Sequence, residues 1–310
     1  MDMALSGPGG RDPTESALLI AEAMRVAPPG YAQPGGELLP RRKGAGRCRL
    51  CGEVRLLTKE HIPPKGAGNL ATAPTHTVNQ WLQRQDLDTI PGGKIEQGGI
   101  WGYTLCRACN SSTGKRYGAE YQGWAARAVL LLRQDKHLYP SVLNERPEPM
   151  VVTGRFGGGR DDGVAPGAMV RQVLSCMCSL SSGWDLAGTS PAIRRIVLDG
   201  SIEALPDGMS LWMELFAGPN SRMAGPQLVS DAPGHWAWVM EIAHPPFAFM
   251  LVLGSNHAPT YGMDMSPFAL EDPKRRVSLE ATWQIGFGWT PLPGDLRSKA
   301  AIERARPTAG

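Results

Sequence analysis

The sequence has no long apolar segment and no export signal. No window approaches the eighteen or more apolar residues of a membrane span. The N-terminus also lacks a basic region followed by an apolar core and a small-residue cleavage site. We therefore expect a cytoplasmic protein without a membrane partner. Because 42% of the residues are hydrophobic and 20% are charged, the composition is that of a globular protein.

Three common catalytic motifs are also missing. The chain contains no Gly-x-x-x-x-Gly-Lys-Ser/Thr phosphate loop, no dinucleotide fingerprint after a strand, and no serine nucleophile elbow. The glycine-rich stretch at 154–163 matches none of them and is interpreted as a flexible loop. Function therefore has to be sought in other residues.

Cysteine is scarce, and its placement is informative. Six cysteines in 310 residues are too few for a disulfide scaffold. Cys176 and Cys178 fall in an apolar helical pattern and are interpreted as buried hydrophobic residues. The other four form two Cys-x-x-Cys pairs, which favour a closed, structural zinc site over redox or merely buried pairs: Cys48, Cys51, Cys106 and Cys109.

Positive charge is concentrated in the first half of the chain. Residues 1–140 carry 18 Lys and Arg against 12 Asp and Glu, whereas the remainder carries 14 against 17. This asymmetry indicates either contact with a polyanion, DNA with RNA not excluded, or a solvated surface run. The candidate nucleic-acid contacts are Arg41, Arg42, Lys43, Arg47, Arg49, Lys59, Lys65, Lys115 and Arg116.

Composition and periodicity predict an α+β protein with two domains. Apolar spacing predicts helices at 15–26, 77–85, 117–134 and 166–182, the third with an aromatic inner stripe. Short apolar runs predict strands at 53–57, 100–105, 194–200, 210–218, 235–243, 247–254 and 277–287. The predicted units are an N-terminal helix with flexible arms (1–46), a zinc domain (47–138), a linker (139–149), an α+β domain with a mainly antiparallel sheet (150–296) and a polar tail (297–310).

The zinc site would bring three functional side chains together. His61 follows the first cysteine pair, and Asn110 directly follows the second. Carboxylate and amide oxygens suit Mg²⁺ or Mn²⁺, so Glu60 and Asn110 are candidate ligands of a catalytic ion. A neutral imidazole beside that ion could deprotonate water, which makes His61 the candidate general base. His76 is interpreted as a surface residue.

These motifs resemble a known family. In order, "CRLCG", "KEHIPP" and "LCRACNSSTG" are similar to the HNH (His-Me finger, ββα-metal) endonucleases that carry a four-cysteine zinc knot. The resemblance covers residues 48–125 and implies a zinc-stapled ββα-metal domain. It also implies that His61 is the general base and that Glu60, at a position where Asp is usual, binds the catalytic ion with Asn110.

The expected function is metal-dependent hydrolysis of DNA phosphodiester bonds. We expect residues 150–296 to sense a signal, bind a regulatory protein partner or form a homo-oligomer, and we assign them to no family. By analogy, bacterial anti-phage defence is a context in which such domains occur. The alternative is a non-catalytic, zinc-stapled module that binds nucleic acid or acts as a scaffold.

Overall fold

The chain folds as an α+β protein with antiparallel sheets in the computed structural model. The model describes residues 37–70, 73–75, 94–134, 150–156, 163–182, 184–216, 221–232, 235–253 and 262–286. The helices predicted at 15–26 and 77–85, the linker at 139–149 and the tail at 297–310 lie outside these ranges. No helix in the described ranges is both long and apolar enough to cross a bilayer.

A small antiparallel sheet carries the first cysteine pair and His61. Its strands lie in the order β1-β2-β5, and their bounds are Ala45–Arg47 (β1), Val54–His61 (β2) and Trp101–Cys106 (β5). The strands predicted at 53–57 and 100–105 are thus confirmed, although β2 continues to His61. A separate two-stranded sheet joins β3 (Ala73–Thr75) to β4 (Lys94–Glu96).

A long helical run begins at the second cysteine pair. It consists of α1 (Arg107–Thr113), a π-helical turn (Gly114–Gly118) and α2 (Ala119–Gln134). The predicted aromatic stripe is confirmed, because Tyr117, Tyr121 and Trp124 are buried at intervals of three or four residues. The helix predicted from residue 117 therefore begins ten residues earlier, directly after Cys106.

Helix α3, Pro166–Leu180, is buried along its whole length. All fifteen of its residues are buried, and it contacts both α1 and α2 and the strands of the larger sheet. This confirms the predicted helix and the buried positions of Cys176 and Cys178.

The strand predicted at 194–200 is wrong, because this segment is helical. Pro191 opens a short helix (α5, Pro191–Arg194) that follows α4 (Leu186–Thr189) and continues into a π-helical turn, Arg195–Asp199. Ile193, Ile196 and Val197 are buried, at helical spacing rather than strand alternation. The spacing of three residues between Ile193 and Ile196 is the feature of the sequence that indicates a helix.

The larger sheet has seven strands and is antiparallel except between β12 and β7. Its main order is β6-β12-β7-β10-β9-β8, with β11 beside β7. Strands β8 and β6 were not predicted. The bounds are Met150–Phe156 (β6), Met209–Phe216 (β7), Arg222–Ala232 (β8), His235–His244 (β9), Phe247–Leu253 (β10), Met263–Asp264 (β11) and Leu279–Gly286 (β12).

One continuous hydrophobic core joins the two halves of the chain. It contains Cys48 and Ile62 from the small sheet together with residues of α3 and the large sheet. The ring of Tyr121, for example, lies 6.0 Å from the ring of Phe249 on β10. The small sheet is therefore packed against described residues of α3 and of the large sheet.

Candidate functional site

The two cysteine pairs meet at one point, as predicted. The sulfur atoms of Cys48, Cys51, Cys106 and Cys109 all lie within 4.8 Å of one another. The Cys51 and Cys106 sulfurs are 4.0 Å apart, close to the separation of about 3.8 Å that a tetrahedron with 2.3 Å zinc–sulfur bonds requires. The four thiols therefore fit a structural metal ion such as zinc.

The backbone around Cys48 is arranged for a thiolate. The Cys106 N–H donates to the Cys48 sulfur at 3.3 Å. A hydrogen bond with the Cys109 thiol, together with backbone N–H groups, lowers the pKa of Cys48 to about 4, although burial opposes this. Gly52 closes the turn at φ 79, a conformation that glycine adopts without strain. Metal ligation needs the deprotonated form that these contacts favour.

Glu60 and His61 point to opposite faces of strand β2. Consecutive side chains on a strand alternate between the two faces of its sheet. Glu60 is 5% exposed, whereas His61 is only partly buried. Direct neighbours in the sequence therefore lie in different surroundings.

The Glu60 carboxyl is enclosed by protein groups. Ser179 Oγ, near the end of α3, donates to its Oε2 at 2.6 Å, and Thr104 Oγ1 donates to the same oxygen at 3.0 Å. Burial raises the pKa of Glu60 to about 7, and the two hydroxyl groups partly offset the effect. This enclosed carboxyl does not fit the expected role as a ligand of a catalytic ion.

Asn110 ties helix α1 to strand β2. Its amide nitrogen donates to Thr58 Oγ1 at 3.1 Å and to the Lys59 carbonyl at 3.0 Å. These two acceptors lie at the irregularity in the β2–β5 pairing, between Thr58 and Lys59. Asn110 and Glu60 thus have different hydrogen-bond partners. Within the described part of the chain, no hydrogen bond links Asn110 to Glu60.

His61 is fixed through one of its ring nitrogens. Nε2 lies 3.1 Å from the Gly98 carbonyl oxygen. Because a carbonyl only accepts hydrogen bonds, Nε2 carries the proton in this contact and the neutral ring keeps its lone pair on Nδ1. Burial lowers the pKa of His61, as do the charges of Lys59, Lys65 and Arg41, while the Gly98 contact partly offsets them.

Asn69 is a buried polar residue that the sequence analysis did not single out. Its amide nitrogen donates to the carbonyls of Pro63 and Ile100 at 2.7 and 2.9 Å, and its oxygen accepts from the Ile100 N–H at 2.7 Å. These bonds join the chain after β2 to the chain before β5, next to Gly98. Asn69 stands out in the sequence only as the polar end of "KGAGN", and its partner Ile100 follows 31 residues later.

The nine predicted nucleic-acid contacts fall into two groups. Three are bonded to the protein itself: Arg47 pairs with Asp185, Arg49 donates to the Ser179 and Leu38 carbonyls, and Arg116 donates to the Val197 carbonyl. Arg41 lies against the Trp101 ring and is partly buried. The other five are exposed, and all six stay candidate contacts: Arg41, Arg42, Lys43, Lys59, Lys65 and Lys115.

Comparisons with known proteins give no relative for this chain. No family model, curated protein or solved structure matches it. The support for the family resemblance comes from the structure itself: the four cysteine sulfurs lie close enough together to hold one metal ion.

Proposed function

We propose that this protein hydrolyses phosphodiester bonds of DNA, with His61 as the general base. The observation that carries the proposal is the hydrogen bond between His61 Nε2 and the Gly98 carbonyl. It leaves Nδ1 as the proton acceptor of a neutral imidazole whose lowered pKa keeps it unprotonated near neutral pH.

The reaction would begin when Nδ1 takes a proton from a water molecule. The water oxygen then forms a bond to phosphorus, the bond from phosphorus to the leaving sugar oxygen breaks, and that oxygen takes a proton from solvent water. Lys59, Lys65 and Arg41 lie near enough to His61 to affect its pKa, so they would favour the negative charge of the phosphate. General-base action is typically worth about 10²–10⁴-fold in rate.

The two expected metals would have different roles. Zinc on four cysteines would be structural, because an all-thiolate site has no open position for a substrate. A magnesium or manganese ion could stabilise the leaving oxygen. In the described arrangement the Glu60 carboxyl is bonded to Ser179 and Thr104 and is not directed to such an ion.

A second candidate function is a non-catalytic nucleic-acid-binding module. The observation that favours it is the same enclosed carboxyl, which removes one of the two expected ligands of the catalytic ion. In this alternative the cysteine cluster and the basic residues around His61 serve binding alone.

Control by residues 150–296 belongs to the proposal as well. Ser179 on α3 touches the residue before the proposed base, so a shift of α3 would reach strand β2 directly.

The test is nicking of supercoiled plasmid by the purified full-length protein. Reactions with Mg²⁺ or Mn²⁺ are compared with reactions containing EDTA, and the wild type is compared with His61→Ala. Arg55→Gln, purified in the same way, is the matched control, because Arg55 lies exposed on the same strand and is paired with Glu53.

We expect His61→Ala to lose nicking about 10²–10⁴-fold while its zinc content and thermal unfolding stay unchanged. Nicking by His61→Ala at the wild-type rate would overturn the assignment. Salt-sensitive DNA binding by a wild type that does not nick would support the binding module instead.

A further inference from the structure

Trp101 lies beside His61 on the small sheet. In the antiparallel pairing of β2 and β5, His61 is directly opposite Trp101, and Lys59 is opposite Tyr103. Residues two apart on a strand share a face, so all four side chains project from one side of the sheet. The ring of Tyr103 meets the Trp101 ring edge-on, with centroids 5.8 Å apart.

Two cations lie against the Trp101 ring. The Lys59 ammonium is 4.1 Å and the Arg41 guanidinium carbon is 4.2 Å from the ring centroid. Lys59 belongs to β2, on one side of β5. The Tyr103 N–H points away from β2 and donates to the Pro40 carbonyl. Arg41, the next residue after Pro40, therefore lies on the other side of β5. The two cations therefore reach the ring from opposite sides of β5, an arrangement in which the ring attracts both.

The charge on this face is not neutralised by the adjacent acid. Glu60 is directed to the other face of the sheet, where Ser179 and Thr104 bind it. In the parts of the chain that the structure describes, Lys59 and Lys65 form no ion pair. A concentration of positive charge thus adjoins the proposed base.

We propose that Trp101 is a positioning residue, which holds the Lys59 ammonium and the Arg41 guanidinium beside His61 as contacts for phosphates of a DNA duplex. This inference rests on the proposed function, because it concerns the same face. Proteins that bind single strands usually stack bases on aromatic rings. With two cations within 4.2 Å of its centroid, this indole already has partners, which favours recognition of the phosphate backbone.

The test is equilibrium binding of a fluorescein-labelled DNA duplex, followed by anisotropy over a series of potassium chloride concentrations. The full-length protein carries His61→Ala so that the probe is not cut. Trp101→Leu removes the ring but keeps an apolar side chain, and Trp101→Phe restores a ring. Arg55→Gln removes a charge of the same strand that is already paired with Glu53.

We expect Trp101→Leu to weaken duplex binding about 3–10-fold and to lower the salt slope by about 2, because two cations are then no longer held in place. Trp101→Phe should recover most of the affinity, and Arg55→Gln should change neither quantity. Lys59→Gln removes one of the two cations and should lower the slope by about 1, which tests the proposal should Trp101→Leu lose zinc or unfold early.

Wild-type affinity and slope for both Trp101→Leu and Lys59→Gln would overturn the proposal. Tighter binding of a single strand than of a duplex with the same number of phosphates would overturn it as well, since stacking would then dominate. Nicking is measured separately. A protein that binds through Trp101 but never nicks would refute the proposed function and leave this inference standing.

Discussion

Glu60 and His61 are adjacent in the sequence, yet the two faces of strand β2 give them different physical chemistry. The Glu60 face is closed by α3 and Thr104, so its carboxyl is buried and the pKa is raised. On the His61 face, Lys59 and Arg41 lie against the Trp101 indole, and burial and nearby positive charge lower the pKa of the imidazole. An acid that is adjacent to a histidine in a sequence motif therefore need not belong to the same site. Consecutive side chains of a strand point to opposite faces of the sheet.

Loss of the cysteine cluster should unfold the small sheet and so disrupt the surroundings of both Glu60 and His61. We expect Cys109→Ser, or removal of zinc by a chelator, to unfold the small sheet, since a structural zinc site is worth on the order of 10 kcal/mol in small zinc modules. Far-ultraviolet circular dichroism and metal analysis would measure the effect. Cys176→Ala is the control, because it lies outside the cluster and should keep one zinc per chain. Equal loss of zinc in both variants would contradict the assignment.

The Glu60 face should respond to pH through its buried carboxyl. The folded-state pKa of about 7 is above the ordinary 4.5, so the folded protein retains a proton that the unfolded chain releases. This contribution to stability, about 3 kcal/mol, is complete below pH 4.5 and is lost as the pH rises to about 7.

Glu60→Gln removes this dependence and should be more stable than the wild type at about pH 8, with the difference shrinking toward about pH 6. Glu60→Ala also lacks the titrating carboxyl, but it should be less stable than Glu60→Gln by about 1–3 kcal/mol at every pH, because Ser179 and Thr104 lose their acceptor. Urea unfolding of the zinc-loaded proteins measures both. A parallel pH profile for wild type and Glu60→Gln would show that the carboxyl is not buried in this way.

Asn69 should affect the His61 face more than the Glu60 face. Asn69→Ala removes three buried hydrogen bonds and is expected to cost about 1–3 kcal/mol in the free energy of unfolding. Because the Gly98 contact raises the pKa of His61, loosening it should lower that pKa further. Titration of the His61 ring by NMR tests this. An unchanged pKa would mean that Asn69 does not position the Gly98 carbonyl.

The smallest effect is expected in the pH dependence of nicking near neutrality. A general base works when deprotonated, and the pKa of His61 is lowered from its ordinary 6.5. The rate should therefore be level at neutral pH and fall only on the acid side, below 6.5. Profiles of the wild type and Glu60→Gln should coincide, which separates the two faces. A midpoint above 6.5 would contradict the environment described for His61.

Local patterns predicted much of the fold and part of the site. The Cys-x-x-Cys spacing fixed the two turns whose sulfur atoms converge, and the aromatic stripe of α2 followed from helical spacing. The strand prediction for 194–200 is wrong because a run of so few apolar residues fits both the two-residue period of a strand and the 3.6-residue period of a helix. The π-helical turn at Arg195–Asp199 also departs from the regular helical period. The role of Arg49 was also out of reach, since the Ser179 carbonyl that it binds lies far along the chain.

The sequence by itself determined the two Cys-x-x-Cys pairs, the start of the strand at Val54 and the aromatic helical stripe from Tyr117, because each depends on spacing within a few residues. Only the tertiary structure decided which face of β2 is closed. Ser179, Thr104 and Gly98 come from three separate segments, and their approach depends on the packing of α3 and β5 against β2. Short-range patterns specify elements, whereas burial and the pKa shifts it causes depend on partners distant in the chain.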